Sequence, residues 1–482
     1  MQIKLNHVGL IKDSTIALDG LTVITGKNNS GKTTVGKTLY ALLDAVSNLR
    51  TKARRDRSAY ILTRLDVLKD YLTNGISFDG TLRPNDYPAL DALLSGTVAE
   101  QFGQDLGEYL QMLRQELVQV DSDLLRQIGV DNILWISLDG SGSQMVDPER
   151  LRKDTLSSLD MLLEVWKKDP KLIDYARESI NQSLRVEFSG QIQPVRTPDP
   201  VSTVELLGNG EAAPVYFRLS LINNGVVNDG RPVFFRMPFK RVYMIDDPFI
   251  LDAPPMAVRP HRHNKKELET FFNPNRVQFH NRKLRQAVVN VRPVNVFEQT
   301  VLNDSLSSIK RQIDAILPGT FEFSSEGEYY VENGAKIQIS NLATGSKMFS
   351  IIKLLLERGR LDSATMLILD EPEAHLHPAW QNAFAEIIVL LVKELKVNVV
   401  LTTHSPNFML ALDAHMRKHD IIDQTNFYQT RTLEGSFAQY HCVNDDLGQI
   451  YDDFLQYLSE MKMLRGQYLC PYGEEEEEEE SE

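Results

Sequence analysis

Residues Gly26-Lys27-Asn28-Asn29-Ser30-Gly31-Lys32-Thr33 read G-x-x-x-x-G-K-T. This spacing makes a phosphate cradle. The two glycines let the backbone take conformations a Cβ would forbid, so successive N–H groups can point at one anion. The start of the following helix adds its partial positive charge. Lys32 is expected to reach the β- and γ-phosphates, and the Thr33 hydroxyl to ligate Mg²⁺, with Thr34 closing the binding set. Far downstream, Met366-Leu367-Ile368-Leu369 runs into Asp370-Glu371-Pro372-Glu373-Ala374-His375-Leu376-His377-Pro378. Two adjacent carboxylates at the end of an apolar strand sit where ligands bind in parallel sheets. Asp370 is expected in the Mg²⁺ shell. Glu371 is placed to polarise a water for in-line attack on the γ-phosphate. One strand later, Val397–Leu401 leads to Thr402-Thr403-His404-Ser405-Pro406, where His404 can serve as a polar γ-phosphate sensor. The implied cofactors are ATP and Mg²⁺. Glu371 and His404 are the candidate catalytic groups, and Thr33 and Asp370 the candidate metal ligands.

The elements that must position these groups are legible nearby. Leu21-Thr22-Val23-Ile24-Thr25 is a short β-branched run that reads as a buried strand, and Val35–Val46 has helical spacing. Strand, loop and helix are the context the cradle needs. Residues 1–25 read as a hairpin feeding a third strand. Ser340-Asn341-Leu342-Ala343-Thr344-Gly345-Ser346-Lys347 is a second small-residue turn at a helix start, and by the same dipole argument a second anion site.

Between the two halves the pattern changes. Residues 48–183 read as long amphipathic helices (Tyr60–Tyr71, Val98–Leu117, Lys153–Trp166) and open on a basic cluster, Arg50, Lys52, Arg54, Arg55 and Arg57. That cluster suits either nucleic acid phosphates or a solvated loop. Residues 184–252 read as strands, among them Val186–Phe188, Val215–Leu221, Val233–Phe235 and Val242–Ile245. Residues 253–300 form a basic, Pro- and His-rich segment. It runs from Arg259, His261, Arg262, His263, Lys265 and Lys266 to Arg276, His280, Arg282, Lys283 and Arg285, and suits an anion or a docking partner. Residues 301–465 carry a helix near 302–317, a hairpin at 320–339 and the second half of the site. Residues 466–482 form an acidic tail expected to be disordered.

Composition bounds the class. The chain has 482 residues, 42% hydrophobic and 24% charged, which suits two or three globular domains. Its net charge is −14, and the tail of Glu474–Glu480 plus Glu482 supplies most of that. No apolar run approaches the length of a membrane span, so no membrane partner is expected. Cys442 and Cys470 are the only cysteines, too few for a disulfide framework or a four-cysteine zinc site. A cytoplasmic location is expected.

Cradle, hydroxyl-Gly turn, Asp-Glu strand and strand-end His, in this order, resemble the ATPase heads of the ABC superfamily. The resemblance is to the SMC/RecF/OLD-like branch: about 310 residues lie between Lys32 and Gly345, far more than in transporters, and Asp-Glu-Pro-Glu-Ala-His-Leu-His-Pro is similar to the OLD-like string. It implies an α/β fold, with a parallel sheet carrying the phosphate loop, an antiparallel β-subdomain and a large helical insertion. It also implies a homodimer or higher oligomer, in which Thr344, Gly345, Ser346 and Lys347 touch ATP held by the partner's phosphate loop. Two departures stand out. Lys347 replaces the usual Gln or Glu, and the Q-loop glutamine has no counterpart beyond Asp246-Asp247 as positional stand-ins. Fewer than eighty residues follow His404, without the layout of a Toprim nuclease, so no nuclease domain is expected. This architecture resembles the ATPase subunits of anti-phage systems, PtuA of Septu and retron-linked Septu, and AriA of PARIS. It implies an ATPase scaffold for a separate nuclease or toxin effector, with DNA or retron nucleic acid as further candidate partners. The alternative is a RecF/SMC-like DNA-binding ATPase of repair or chromosome maintenance.

Overall fold

The computed structural model describes residues 1–73, 87–102, 105–130, 148–169, 171–194, 201–210, 214–227, 237–252, 279–290, 308–324, 327–433 and 437–469. They form two units: Met1–Ser47 with Ala176–Glu482, and Asn48–Tyr175.

The first unit is built on one mixed sheet. The apolar run Leu21–Thr25 becomes strand β3, buried at every position. In chain order the other strands are β1 (Gln2–Val8), β2 (Ile11–Ala17), β4 (Ser202–Leu207), β5 (Val215–Ile222), β6 (Gly225–Val226), β7 (Arg241–Ile245), β11 (Thr365–Asp370), β12 (Asn398–Thr403), β13 (Thr425–Thr432) and β14 (Ala438–Cys442). Their spatial order is β6-β5-β4-β1-β2-β14-β13-β3-β12-β11-β7. The run β13-β3-β12-β11-β7 is parallel, while β1, β2, β4, β5 and β6 pair antiparallel. In the parallel run Thr25 pairs with Thr403, Thr402 with Asp370, and Leu369 with Ile245. Register therefore brings Gly26, His404, Glu371 and Asp246, each the residue just past such a pair, to one edge of the sheet.

Both faces of β3, β12, β11 and β7 are covered, which is why these strands are largely buried and apolar. Helix α1 (Lys32–Val46) packs on one face. Gly36 permits that approach, since a Cβ there would stand 3.2 Å from Ile368 Cγ2. The other face carries Leu21, Val23, Ile245, Leu367, Leu369, Val399 and Leu401 in one core cluster, together with apolar residues of three further helices. Those helices are Thr344–Glu357, Pro378–Leu395 and Pro406–Lys418. A second sheet, β10-β9-β8 (Ala335–Gln338, Gly327–Glu332, Thr320–Ser324), is antiparallel.

The second unit is helical: α2 (Leu49–Thr73), α3 (Pro88–Ser95), α4 (Val98–Phe102), α5 (Leu106–Gln119), α6 (Ser122–Val130) and α7 (Pro148–Lys167), followed by α8 (Leu172–Glu187), which runs on into the first unit. Its core includes Ile61, Leu65, Leu110, Leu113, Leu117, Leu159 and Leu162. The buried Glu116 carboxylate accepts from Ala89 N and Leu90 N (3.0 and 2.8 Å), which satisfies two orphan donors at the start of α3.

Three expectations are corrected. Val186–Phe188 is not a strand: α8 runs through Glu187, whose side chain is buried. The Arg50–Arg57 cluster is not a loop but the start of α2. Arg57 there donates to Trp166 O (2.8 Å) and lies 4.8 Å from the Trp166 ring centroid, so it serves the helical core. The latter part of the basic segment is helix α9 (Phe279–Val289), in which His280 and Arg285 are buried and paired. The strand expected at Val233–Phe235, the run Arg259 to Arg276 and the acidic tail lie outside the described residues. A helix over 308–314, α10, stands within the region expected to be helical. The remaining helices are α11 (Thr344–Glu357), α12 (Pro378–Leu395), α13 (Pro406–Lys418) and α14 (Gly448–Leu469). None of the described helices is long and apolar enough to cross a membrane.

Candidate nucleotide site

The loop between β3 and α1 has the backbone its glycines allow. Gly26 has φ 153° and Gly31 φ 83°, and a Cβ on Gly26 would lie 1.9 Å from Thr430 Oγ1. Asn29 also takes a left-handed φ of 61°, a conformation Asn tolerates better than most residues. Tyr440 fixes the loop from beneath, its buried hydroxyl donating to Ser30 O at 2.9 Å. Ser30 Oγ is itself buried with no hydrogen-bond partner among the described residues. Lys32 is 5% exposed, and its Nζ donates to Gly26 O (2.8 Å) and Lys27 O (2.9 Å).

The carboxylates meet this loop at the sheet edge. Thr33 Oγ1 donates to Asp370 Oδ2 at 2.6 Å, and Thr402 Oγ1 to Asp370 Oδ1 at 2.5 Å. Burial pushes the Asp370 carboxyl up, and the two hydroxyl bonds oppose that shift. Glu371 Oε1 lies 3.4 Å from Lys32 Nζ and 2.9 Å from His404 Nδ1. Its backbone takes φ 48°, left-handed for a side chain with a Cβ, which costs on the order of 1–3 kcal/mol. That conformation is held by Glu371 N, which donates to Thr402 O and Thr402 Oγ1, both at 3.1 Å. His404 is held in place by the start of the next helix. Ser405 Oγ accepts from Phe408 N at 3.3 Å as the N-cap of α13, and Pro406 occupies the first helical turn.

The structure thus brings Gly26, Ser30, Gly31, Lys32, Thr33, Asp370, Glu371 and His404 into one constellation. Lys27 and Asn28 are exposed on the loop, and Thr34 is half-buried in the first turn of α1.

Several supporting groups carry no sequence signal of their role. Thr402 joins the Asp370 carboxylate to the Glu371 backbone N–H, although as one Thr in a strand it has nothing to distinguish it. Glu373 is 2% exposed; its Oε1 accepts from Thr403 Oγ1, and its Oε2 has no hydrogen-bond partner among the described residues. Burial pushes its carboxyl up. Beside the site, Asp246 Oδ1 meets His280 Nε2 at 3.0 Å, and His280 Nδ1 meets the buried Glu187 Oε2 at 2.5 Å. Burial works against charge on the ring, but the bonds to Asp246 and Glu187 outweigh it and raise His280 to about 9. The same His280 bond holds Asp246 below the usual range against its own desolvation.

The residues fit a triphosphate and a divalent cation. The loop has an unsatisfied buried hydroxyl at Ser30 and a buried ammonium at Lys32. Thr33 Oγ1 and Asp370 supply hard oxygen donors of the kind Mg²⁺ takes, and such a cation would neutralise phosphate charge. A triphosphate would compete with the Gly26 and Lys27 carbonyls and with Glu371 for the Lys32 ammonium. Release of Glu371 from Lys32 would leave its carboxylate free to accept a proton from water, with His404 beside it to orient that oxygen.

The second anion element is only partly as expected. Thr344, Gly345 and Ser346 open α11, whose N-cap, Ala343, makes no side-chain cap. First-turn N–H groups therefore have no capping side chain, and Thr344 and Ser346 are half-buried. Gly345 packs on Trp380, where a Cβ would stand 3.1 Å from the ring. Lys347 is corrected: it is 3% exposed, with Nζ bonded to Asp252 Oδ1 (2.7 Å) and Ser340 O (2.8 Å). Its ammonium braces the turn internally and is not presented to a partner's nucleotide.

Residues 256–411 match the family model "AAA domain, putative AbiEii toxin, Type IV TA system". The matched stretch holds the Asp370–Glu371 strand and His404, and does not include the phosphate loop. No curated protein matches the chain. Similar solved structures include the SMC head domain from Thermotoga maritima, at 12% identity and TM-score 0.32 over 92% of this chain and 98% of that one. An Smc head bound to the C-winged helix domain of ScpA has 11% identity and TM-score 0.38, over 92% and 97%. The Smc head domain with a coiled coil and joint derived from Pyrococcus yayanosii has 11% and 0.33, over 94% and 98%.

Proposed function

We propose that this chain binds ATP with Mg²⁺ and hydrolyses it as an ABC-class ATPase. The observation that carries this reading is the meeting of Lys32, Thr33, Asp370, Glu371 and His404 at one sheet edge, on ends of β12, β11 and the β3–α1 loop. Glu371 is the water-orienting base, and Asp370 and Thr33 hold the cation. Two copies of the chain sandwich nucleotide, the first turn of α11 in one copy facing the phosphate loop of the other. The protein acts as an oligomeric sensor and scaffold for a separate nuclease or toxin effector in anti-phage defence, as in Septu, retron-linked Septu and PARIS. The toxin–antitoxin wording of the matched family supports this reading.

Affinity purification from the native host with ATP present tests it. A nuclease or toxin should co-purify in an ATP-dependent manner. Recovery of DNA alone, with DNA-stimulated hydrolysis and no effector, would replace this reading with a RecF/SMC-like one.

A further inference from the structure

Helices α12 and α13 meet through a polar cluster that the nucleotide chemistry does not use. Glu386 on α12 projects its Oε1 to within 3.0 Å of His419 Nε2 and 3.8 Å of His415 Nδ1. The four-residue spacing of His415 and His419 puts both rings on one side of α13, stacked with centroids 6.3 Å apart. One ligand atom from each of the three residues lies within 4.8 Å of the others.

The cluster is more than three polar side chains in proximity. His415 is 8% exposed, and its Nδ1 has no hydrogen-bond partner among the described residues. Its other nitrogen, Nε2, meets Asn382 Oδ1 at 3.1 Å. A carbonyl oxygen accepts, so the ring proton sits on Nε2 and the Nδ1 lone pair points at the cluster. A ring that donates from one nitrogen to an oxygen while its other nitrogen stays bare has the arrangement of a metal-bound imidazole with its supporting partner. Lys418 Nζ is 2.7 Å from Glu386 Oε1 and so places a positive charge beside the carboxylate. Its side chain is 58% exposed, so it can swing into solvent when a cation enters.

We infer that Glu386, His415 and His419 form a binding site for one divalent transition-metal ion, Zn²⁺ foremost, that clamps α12 to α13. Two imidazole nitrogens and one carboxylate oxygen suit Zn²⁺ and its neighbours better than Mg²⁺ or Ca²⁺, which prefer all-oxygen sets. Donors around a tetrahedral zinc at ~2.0–2.2 Å stand ~3.3–3.5 Å apart, and the 3.0 and 3.8 Å separations bracket that value. The site is separate in sequence from every residue of the nucleotide constellation, and it joins the helix after the Asp-Glu strand to the helix after His404.

The test uses the full chain without nucleotide or Mg²⁺, titrated with Zn²⁺ against a chromophoric chelator, with Co²⁺ as a spectroscopic probe. The wild type should take up one tightly held Zn²⁺, give visible Co²⁺ d–d absorption and melt at higher temperature with Zn²⁺. His419→Ala, at a partly exposed position, should keep the helical circular dichroism of the wild type and weaken uptake roughly 100-fold. Asp370→Asn should leave uptake unchanged. Lys418→Ala should tighten it by removing the competing cation. No uptake by the wild type overturns the inference. So does uptake that is equal in His419→Ala and a His415→Ala/His419→Ala double variant and the wild type, because the metal would then sit elsewhere.

Discussion

Thr402 gives the sharpest test of how the site is held, because one hydroxyl donates to the Asp370 carboxylate and accepts from the Glu371 backbone N–H. Thr402→Val conserves shape at a position 1% exposed and removes only the polar contacts. The bond to Glu371 N is partly redundant, since Thr402 O accepts from the same N–H at the same 3.1 Å. The 2.5 Å bond to Asp370 Oδ1 is not. A hydrogen bond to a charged group contributes ~1.5–3 kcal/mol, which corresponds to roughly 10- to 150-fold in an equilibrium or rate. The Mg²⁺ concentration at half-maximal ATP hydrolysis should therefore rise by about 10- to 100-fold, the range seen when a ligand loses its supporting partner. The variant also removes one of the two bonds that oppose desolvation of Asp370. Its pKa should go further up, and the acid limb of the pH–rate profile should move to higher pH. The assay is steady-state hydrolysis across Mg²⁺ and pH, with thermal unfolding as the check on folding. A folded variant with the wild-type Mg²⁺ midpoint and acid limb would refute the reasoning.

Three further outcomes are expected from the same geometry. Glu371→Gln should retain ATP binding and stall hydrolysis in single-turnover assays, and wild-type turnover would remove Glu371 as the base. Gly26→Ala should abolish nucleotide binding in calorimetry, because its Cβ would collide with Thr430 Oγ1; normal affinity would contradict the loop geometry. For His280 the folded pKa is raised, from 6.5 to about 9. Its contribution is then fully present below pH 6.5 and is lost as pH rises through about 9, and the difference corresponds to ~3 kcal/mol. Urea midpoints should fall across that window in the wild type and fall less in His280→Gln; a flat wild-type profile would count against the buried Glu187–His280–Asp246 pairing.

The phosphate loop, the Asp370–Glu371 strand and His404 are legible because each is a local pattern: glycines at fixed spacing, carboxylates ending an apolar run, a histidine ending the next. Register does the rest, aligning strand ends that lie hundreds of residues apart. The features that sequence reasoning misses depend on tertiary neighbours. Val186–Glu187–Phe188 looks like a strand, yet it ends an amphipathic helix whose Glu187 meets His280 from α9. The basic character of residues 279–285 suits an anion or a docking partner, but pairing within the fold lets His280 and Arg285 be buried. Lys347 looks displayed because it comes after Thr-Gly-Ser, but Asp252, nearly a hundred residues upstream, draws it inward. β13, whose pairing beside β3 completes the parallel run, is a half-polar Thr-Asn-Phe-Tyr-Gln-Thr-Arg-Thr segment and gives no strong strand signal. His415 and His419 have visible helical spacing, but Glu386, their carboxylate, belongs to the preceding helix.

The most direct measurement is equilibrium binding of ATP with Mg²⁺ to the wild type and to Lys32→Ala. The wild type should bind, and the variant, lacking the ammonium now held by Gly26 O and Lys27 O, should lose detectable affinity while remaining folded. Equal affinity in the two proteins, or no binding by the wild type, would contradict the account.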